Sequence, residues 1–192
     1  MRSAVFLDRD DTLVGCRAAT ANTPHPGDLI DPDAACLNPG AAGACRRLAD
    51  AGFVLIVVSN QGCVARGLIG PAGVQRVNQR VGDLMFREAG VRPDAFYFCP
   101  FHPRGVVPAF TREHEWRKPA PGMFLAAAAD LSLDLRSSWA VGDAPRDSEA
   151  AIAAGIVPER AMMIGPPPCQ WGDLAAAAAH ILATPQFAPG AS

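Results

Sequence analysis

The chain predicts a three-layer α/β/α fold, with a central parallel sheet held between two layers of helices. Three observations carry this. Short apolar runs of strand length alternate with longer segments of helical period, the pattern of successive βαβ units. Phe53 to Val58 is apolar at every position, which fits a strand covered on both faces. Carboxylates follow two of the apolar runs, at Asp8 and Asp143, and open α/β sheets collect ligands at the C-terminal ends of their strands.

The first strand is read over Ser3 to Asp8. Gly15 to Pro39 is aperiodic and rich in Pro, Asp and Asn. It is too short for a domain of its own and reads as a loop beside the site. A helix is expected at about 41–51, with Ala41, Cys45, Leu48 and Ala49 inward and Gly52 as its stop. Phe53 to Val58 is the second strand. The clearest helix comes next: Pro71 opens it, Val74, Val77, Val81, Leu84 and Met85 recur at helical spacing, and Gly90 ends it. Ala95 to Cys99 is a third strand, and Pro100 to Arg117 an irregular segment with clustered polar side chains. Pro119 and Pro121 start a helix through Leu131. Trp139 to Gly142 forms a fourth strand, Arg146 to Ala154 a helix closed by Gly155, and Ala161 to Ile164 a fifth strand. An Ala-rich helix near Asp173 to Ala183 precedes a frayed Pro/Gly tail. One domain over 1–192 accounts for the pattern, with a core over about 3–165, a C-terminal helix and tail over about 166–192, no separate cap and no internal repeat.

The 192 residues suffice for a full core. A net charge of -2 leaves no large basic face, which argues against a non-specific nucleic-acid binder. No apolar run is long enough to span a bilayer, and the strand-like N-terminus leaves no room for a secretory leader. The 6 cysteines, at 16, 36, 45, 63, 99 and 169, form no C-x-x-C pair. Reduced thiols in a cytoplasmic protein are the expectation.

Four stretches carry chemistry. In Phe6-Leu7-Asp8-Arg9-Asp10-Asp11-Thr12-Leu13 two carboxylates one residue apart close a strand, with a hydroxyl two further on. One can attack a phosphoryl group while the other handles protons, and a Mg²⁺ ion would offset their crowded charge. By themselves they also read as the cap of a turn. Ser59-Asn60-Gln61-Gly62, directly after the second strand, offers a hydroxyl and backbone N–H groups to phosphoryl oxygens, or is an ordinary polar turn. Arg117-Lys118-Pro119 sets an ammonium where a helix begins, suited to a phosphate or simply solvated. Val141-Gly142-Asp143, with Asp147 four residues on, sets a carboxylate beside Asp8 in a parallel sheet; Asp147 could be only a helix N-terminal charge. The convergence of all four at the ends of neighbouring elements selects phosphoryl transfer.

This order, Asp-x-Asp-x-Thr, Ser, Lys, Gly-Asp-x-x-x-Asp, resembles the haloacid dehalogenase-like (HAD) phosphohydrolases, subfamily IIIA, with their Rossmann-like fold. Ser59-Asn60-Gln61 followed by Ala65-Arg66-Gly67, Cys99-Pro100-x-His102-Pro103 and Arg117-Lys118-Pro119-x-Pro121-Gly122-Met123 is similar to the D,D-heptose 1,7-bisphosphate phosphatase and histidinol-phosphatase group. The likeness runs from about Ser3 to Gly165. It implies that Asp8 is the nucleophile forming an aspartyl-phosphate. It implies that Asp10 protonates the leaving alkoxide and then deprotonates water. Mg²⁺ would be held by the Asp8 carboxylate, the Asp10 carbonyl and Asp143. Ser59, the Asn60 backbone and Lys118 would stabilise the equatorial oxygens, with Lys118 also keeping Asp8 ionised. Thr12 would steady the Asp10 loop. Arg66 and Arg117 would face the non-reacting end of the substrate, with Arg104 and Arg112 also around the mouth. The loops 15–39 and 100–117 would shield the site in place of a cap.

The sequence departs from that group at two places. Asp11 stands where the group usually has Gly, and is expected to point outward. In the loop from Cys99 to Trp116, which related phosphatases often fold around zinc, Cys99 is retained, but matched ligand positions hold Phe101, His114 and Trp116. Phe and Trp cannot ligate, so packing of Phe101 and Trp116 is expected to replace the metal; a rescue zinc site from Cys99, His102, His114 and Glu115 is the disfavoured alternative. The substrate class implied is a small phosphorylated metabolite. A heptose bisphosphate fits the arginines best, with histidinol phosphate as runner-up, and a non-catalytic phosphate-binding module or a nucleic-acid end phosphatase as the competing classes.

Overall fold

In a computed structural model, described over residues 1–185, strand β1 (Ala4–Leu7) occupies the middle of a sheet ordered β3-β2-β1-β4-β5. Its neighbours are β2 (Val54–Asn60) and β4 (Trp139–Gly142), flanked in turn by β3 (Ala95–Cys99) and β5 (Ala161–Met163). Every pairing is parallel. The chain travels outward through β2 and β3, then returns to the other side of β1 for β4. That reversal opens a crevice at the C-terminal ends of β1 and β4, where such sheets bind ligands.

The pleat sorts the apolar residues into two layers. Val5 and Leu7 pack with residues of α2 (Ala41–Asp50), α3 (Pro71–Ala89) and α6 (Leu174–Ala183). Ala4 and Phe6 pack on the opposite face with α4 (Gly122–Leu131) and α5 (Pro145–Ala154). Both faces of β1 are buried at every position, as a continuous apolar run requires. Among the described residues there is no separate cap domain, and no helix is long and apolar enough to cross a membrane. All six cysteines are free thiols, with Cys16, Cys45, Cys63 and Cys99 buried.

Several boundaries differ from expectation. The second strand runs on through Ser59 and Asn60, because these polar residues pair with Phe98 and Cys99 of β3. The fourth helix begins at Gly122 and not at Pro119; each proline bars the residue before it from helical backbone. The stretch 15–39 contains a short helix, α1 (Cys16–Thr20), and a single turn at Pro32–Ala34. Leu29 and Ala35 from this stretch are buried in the main core, so it is anchored and not a free loop. The expected tail falls largely at 186–192, outside the described residues.

Candidate active site

Asp8 follows β1, and its main-chain N–H continues the ladder to the carbonyl of Val141 at 3.0 Å. That bond sets Asp8 level with the end of β4, so Asp143 comes alongside. Lys118 reaches in from the turn before α4. Its Nζ lies 2.8 Å from Asp8 Oδ1 and 2.6 Å from Asp147 Oδ1, and donates to the Val58 carbonyl at 2.8 Å. Asp8 is 4% exposed and Lys118 2%. Lys118 does not sit at a helix start, as expected from Pro119. It is fixed instead by Asn60, whose amide accepts from the Lys118 N–H and donates to its carbonyl, both at 2.9 Å. Asn60 is therefore placed as a clamp on the lysine backbone.

Asp8, Asp143 and Asp147 each present an oxygen within 4.8 Å of the others. The approach of Asp147 depends on Gly142, where a Cβ would stand 2.4 Å from the Asp147 Cβ. Asp147 Oδ2 accepts from the Ala144 N–H at the start of α5 while Oδ1 faces Lys118, so both its oxygens are engaged. Asp143 Oδ1 is buried without a hydrogen-bond partner. A cluster of carboxylates with one orphaned buried oxygen fits a hard divalent cation. Burial pushes the Asp8 carboxyl up to about 7; Lys118 pulls the other way without cancelling it, and Asp147 and Asp10 add to the rise. Lys118 thus acts in the expected direction, toward the ionised carboxylate, against the larger effect of burial. Burial alone would lower the Lys118 ammonium, but Asp8 and Asp147 outweigh it and its pKa is raised. Burial raises Asp143, with Asp147 adding and Arg17 opposing.

The Asp10 side chain is not in that cluster. Arg9, fully buried, donates from Nε to Oδ1 at 2.9 Å and from a terminal nitrogen to Oδ2 at 3.0 Å. Gln61 donates to Oδ2 at 2.7 Å and to Ser59 Oγ at 2.7 Å, and accepts from Arg9. Asn78 of α3 accepts from the same guanidinium at 2.9 Å. With its carboxylate thus turned, Asp10 could serve a metal only through its main chain. The sequence assigns no role to Arg9, Gln61 or Asn78, although Gln61 stands in the Ser59-Asn60-Gln61 motif. One signal was present: Asn78 interrupts the apolar stripe Val74, Val77, Val81 of α3.

The Thr12 hydroxyl is buried without a partner; Thr12 ties the turn through its carbonyl, which accepts from the Asn38 amide at 3.1 Å. One expectation in the same turn is corrected. Asp11 does not point outward. Its backbone is left-handed, with φ 61°, which explains why glycine suits this position. Its carboxylate accepts from the Arg17 N–H at 2.9 Å and lies 3.4 Å from Arg17 Nε.

A cavity of about 180 Å³ opens over the centre, lined by Asp8, Asp10, Ser59, Asn60, Lys118 and Arg146 among others. Arg146, not anticipated, lines it, and the charges of Arg146 and Arg66 both act on Arg117, whose pKa burial already lowers. Arg117 donates to the Phe101 carbonyl at 3.2 Å, and Arg66 pairs with Asp28. Burial lowers His102, with Arg117, Arg66 and Arg104 adding. Arg66, Arg104, Arg112 and Arg117, expected at the mouth, do not line this cavity; Arg112 stacks over the Phe101 ring at 4.3 Å.

In the loop after β3, Phe101 stacks on His114 with ring centroids 4.1 Å apart and planes 10° from parallel. Phe110 packs against Phe101, and Trp116 meets Tyr97 edge-on. Cys99 is buried with its thiol toward the Phe101 carbonyl. His102 Nδ1 accepts from Arg104 and His114 Nδ1 from Trp116. Cys99, His102 and His114 do not gather into a three-donor group among the described residues, contrary to the rescue zinc set.

Residues 115–158 match a family model described as "HAD-hyrolase-like". The chain is 37% identical over 173 residues to the D-glycero-beta-D-manno-heptose-1,7-bisphosphate 7-phosphatase of Yersinia pestis, covering 90% of this chain and 87% of that protein. It is 37% identical over 153 residues to the protein of the same name from Escherichia coli strain K12, covering 80% and 75%. Its fold is similar to the crystal structure of D,D-heptose 1.7-bisphosphate phosphatase from B. bronchiseptica complexed with magnesium and phosphate, with a TM-score of 0.74 and 28% identity over 95% of this chain and 98% of that one.

Proposed function

This chain belongs to the HAD-like phosphatases, in the family of the heptose bisphosphate phosphatases, and we propose that it hydrolyses the 7-phosphate of D-glycero-D-manno-heptose 1,7-bisphosphate through an aspartyl-phosphate on Asp8. One observation carries the reading: an ammonium and two carboxylates of Lys118, Asp8 and Asp147 are buried together at a strand end. Burying such a group costs several kcal/mol per ion, and hydrophobic residues would fill the space more cheaply if stability were its purpose.

In the first half-reaction, a carboxylate oxygen of Asp8 attacks phosphorus as the bond to the leaving alkoxide breaks, and Asp10 gives that alkoxide its proton. In the second, Asp10 takes a proton from water as the water oxygen attacks phosphorus, which releases phosphate and regenerates the Asp8 carboxylate. Arg9 and Gln61 fix the direction of Asp10, and the Gln61 bond to Ser59 ties it to the hydroxyl assigned to a phosphoryl oxygen. Lys118 and main-chain N–H groups at the end of β2 face the charge that spreads over the equatorial oxygens. Asp8, Asp143 and the main-chain carbonyl of Asp10 would hold Mg²⁺, which when bound offsets the carboxylate charge and polarises the phosphoryl oxygens. The stretch 15–39 and the aromatic loop exclude water in place of a cap.

Arg117 and Arg146 support a second phosphate at the far end of the substrate, since guanidinium groups suit phosphate geometry. Arg66 adds charge there, tempered by Asp28. The test is phosphate release from a panel of sugar bisphosphates, sugar monophosphates and histidinol phosphate. The heptose bisphosphate is expected to show the highest kcat/KM. Faster turnover of histidinol phosphate would reverse the substrate assignment while leaving the chemistry in place.

A further inference from the structure

Arg17 lies outside every motif that identified the site, yet it touches the proposed cation site. It stands on α1, and its guanidinium donates to Asp143 Oδ2 at 3.0 Å. On its other side Asp11 holds it twice, through the Arg17 main-chain N–H at 2.9 Å and through Nε at 3.4 Å. The two oxygens of Asp143 are therefore unequal: Oδ2 is bonded to Arg17, while Oδ1 is buried without a partner; Asp143 also offers an oxygen to the cluster with Asp8 and Asp147.

We propose that Arg17 is a positioning residue for the divalent cation. It acts through Asp143, fixing the rotation of the carboxylate so that Oδ1 is presented to the metal, and Asp11 in turn fixes Arg17. The inference rests on the assignment of Asp143 as a metal ligand. A carboxylate ligand without an outer hydrogen bond must be ordered when the metal arrives, and outer partners of this kind are worth 10- to 100-fold in metal affinity. Against that, a bare cation near the site would repel the metal. The Asp11 carboxylate compensates the guanidinium charge, so the orienting effect is left to dominate. Because the Arg17 side chain is 69% exposed, the effect belongs at or below the lower end of that range. The arrangement also gives Asp11 a purpose at a position where glycine would satisfy the backbone.

The experiment is calorimetric titration of Mg²⁺ into the full chain without substrate, at low and moderate salt. Arg17→Met is expected to weaken binding about 3- to 10-fold, and Arg17→Lys to recover part of the loss, with the thermal midpoint in EDTA unchanged for both. Binding by Arg17→Met that is unchanged or tighter would overturn the proposal, since repulsion would then outweigh orientation. A lowered midpoint in EDTA, with Arg17→Lys no better than Arg17→Met, would overturn it in favour of simple loop packing. Asp143→Asn separates the two levels of inference: it should abolish binding, and undiminished binding would remove the metal site itself and not only the role of Arg17.

Discussion

At the centre of the site, four side chains from three distant parts of the sequence meet beside the strand ends, Asp147 from the first turn of α5, and buried charge holds them together. Lys118 bridges Asp8 and Asp147, with Asp143 alongside. At the mouth, residues 100–117 have no sheet to hang from, and stacked rings hold them: His114 on Phe101, Phe110 against Phe101, Trp116 against Tyr97. Charge at the centre is costly to bury and is retained where it can act on a phosphoryl group. Ring packing at the mouth costs little and leaves shape free to vary. The centre should therefore respond to substitution in turnover, and the mouth in substrate affinity with turnover kept.

Asp8→Asn breaks the comparison most sharply. It removes the attacking carboxylate and nearly preserves shape, and Lys118 retains Asp147 as its partner. Phosphate release is expected to fall by at least about a thousandfold, with the circular dichroism spectrum unchanged. Undiminished turnover would show that the nucleophile is misassigned. Lys118→Met is next. It leaves two buried carboxylates without their counter-charge, so a stability loss of roughly 3–5 kcal/mol is expected in denaturant titrations. Turnover should fall on the order of a hundredfold or more, and saturating Mg²⁺ should restore part of the stability and little of the rate.

The titration of Asp8 tests whether burial or the lysine governs the centre. Its carboxyl is raised from 3.8 to about 7, by burial first. Between those values the folded, metal-free protein holds a proton that the unfolded chain has released. Stability therefore falls as pH rises from about 4 to 7, the window in which the folded state binds more protons. In EDTA, the thermal midpoint of the wild type relative to Asp8→Asn should drop across that window, and Mg²⁺ should flatten the slope. A flat difference without metal would mean that Lys118 keeps the carboxylate charged throughout.

The same division explains what the sequence reveals. All five strands are visible in it, because each is a run of apolar residues bounded by turn signals, and both ligand-bearing strand ends announce themselves with a carboxylate. The partnership of Lys118 with Asp8 follows from strand order once the fold is right. What stays hidden is contact between residues far apart with no shared pattern. Arg9 meets Gln61 52 positions away and Asn78 69 positions away. Arg146 occupies a variable place inside Gly-Asp-x-x-x-Asp. The five residues of α1 are too few to show a period, so Arg17 had no element to stand on. Ser59 and Asn60 read as a turn because polarity hides the β3 pairing that extends their strand.

The smallest effect is expected at the mouth. Phe101 is half-buried, and its ring touches His114, Phe110 and Arg112, while its carbonyl accepts from Arg117. Phe101→Ala removes the ring from the stack and loosens the segment that anchors Arg117. Full burial of a phenylalanine is worth 3–5 kcal/mol, so a half-buried one should cost about 1–2 kcal/mol. KM for a bisphosphate should rise a few-fold and kcat should hold, the reverse of the Asp8→Asn signature, because Asp8, Lys118 and Asp143 make no contact with the ring. A zinc-selective chelator should leave the wild-type midpoint unchanged, since Cys99, His102 and His114 are each turned to another partner. A midpoint lowered by the chelator and restored by added Zn²⁺ would show that the rings supplement a metal instead of replacing it. A fall in kcat for Phe101→Ala would show that centre and mouth are coupled, and that the aromatic loop helps to set the reacting geometry as well as to admit the substrate.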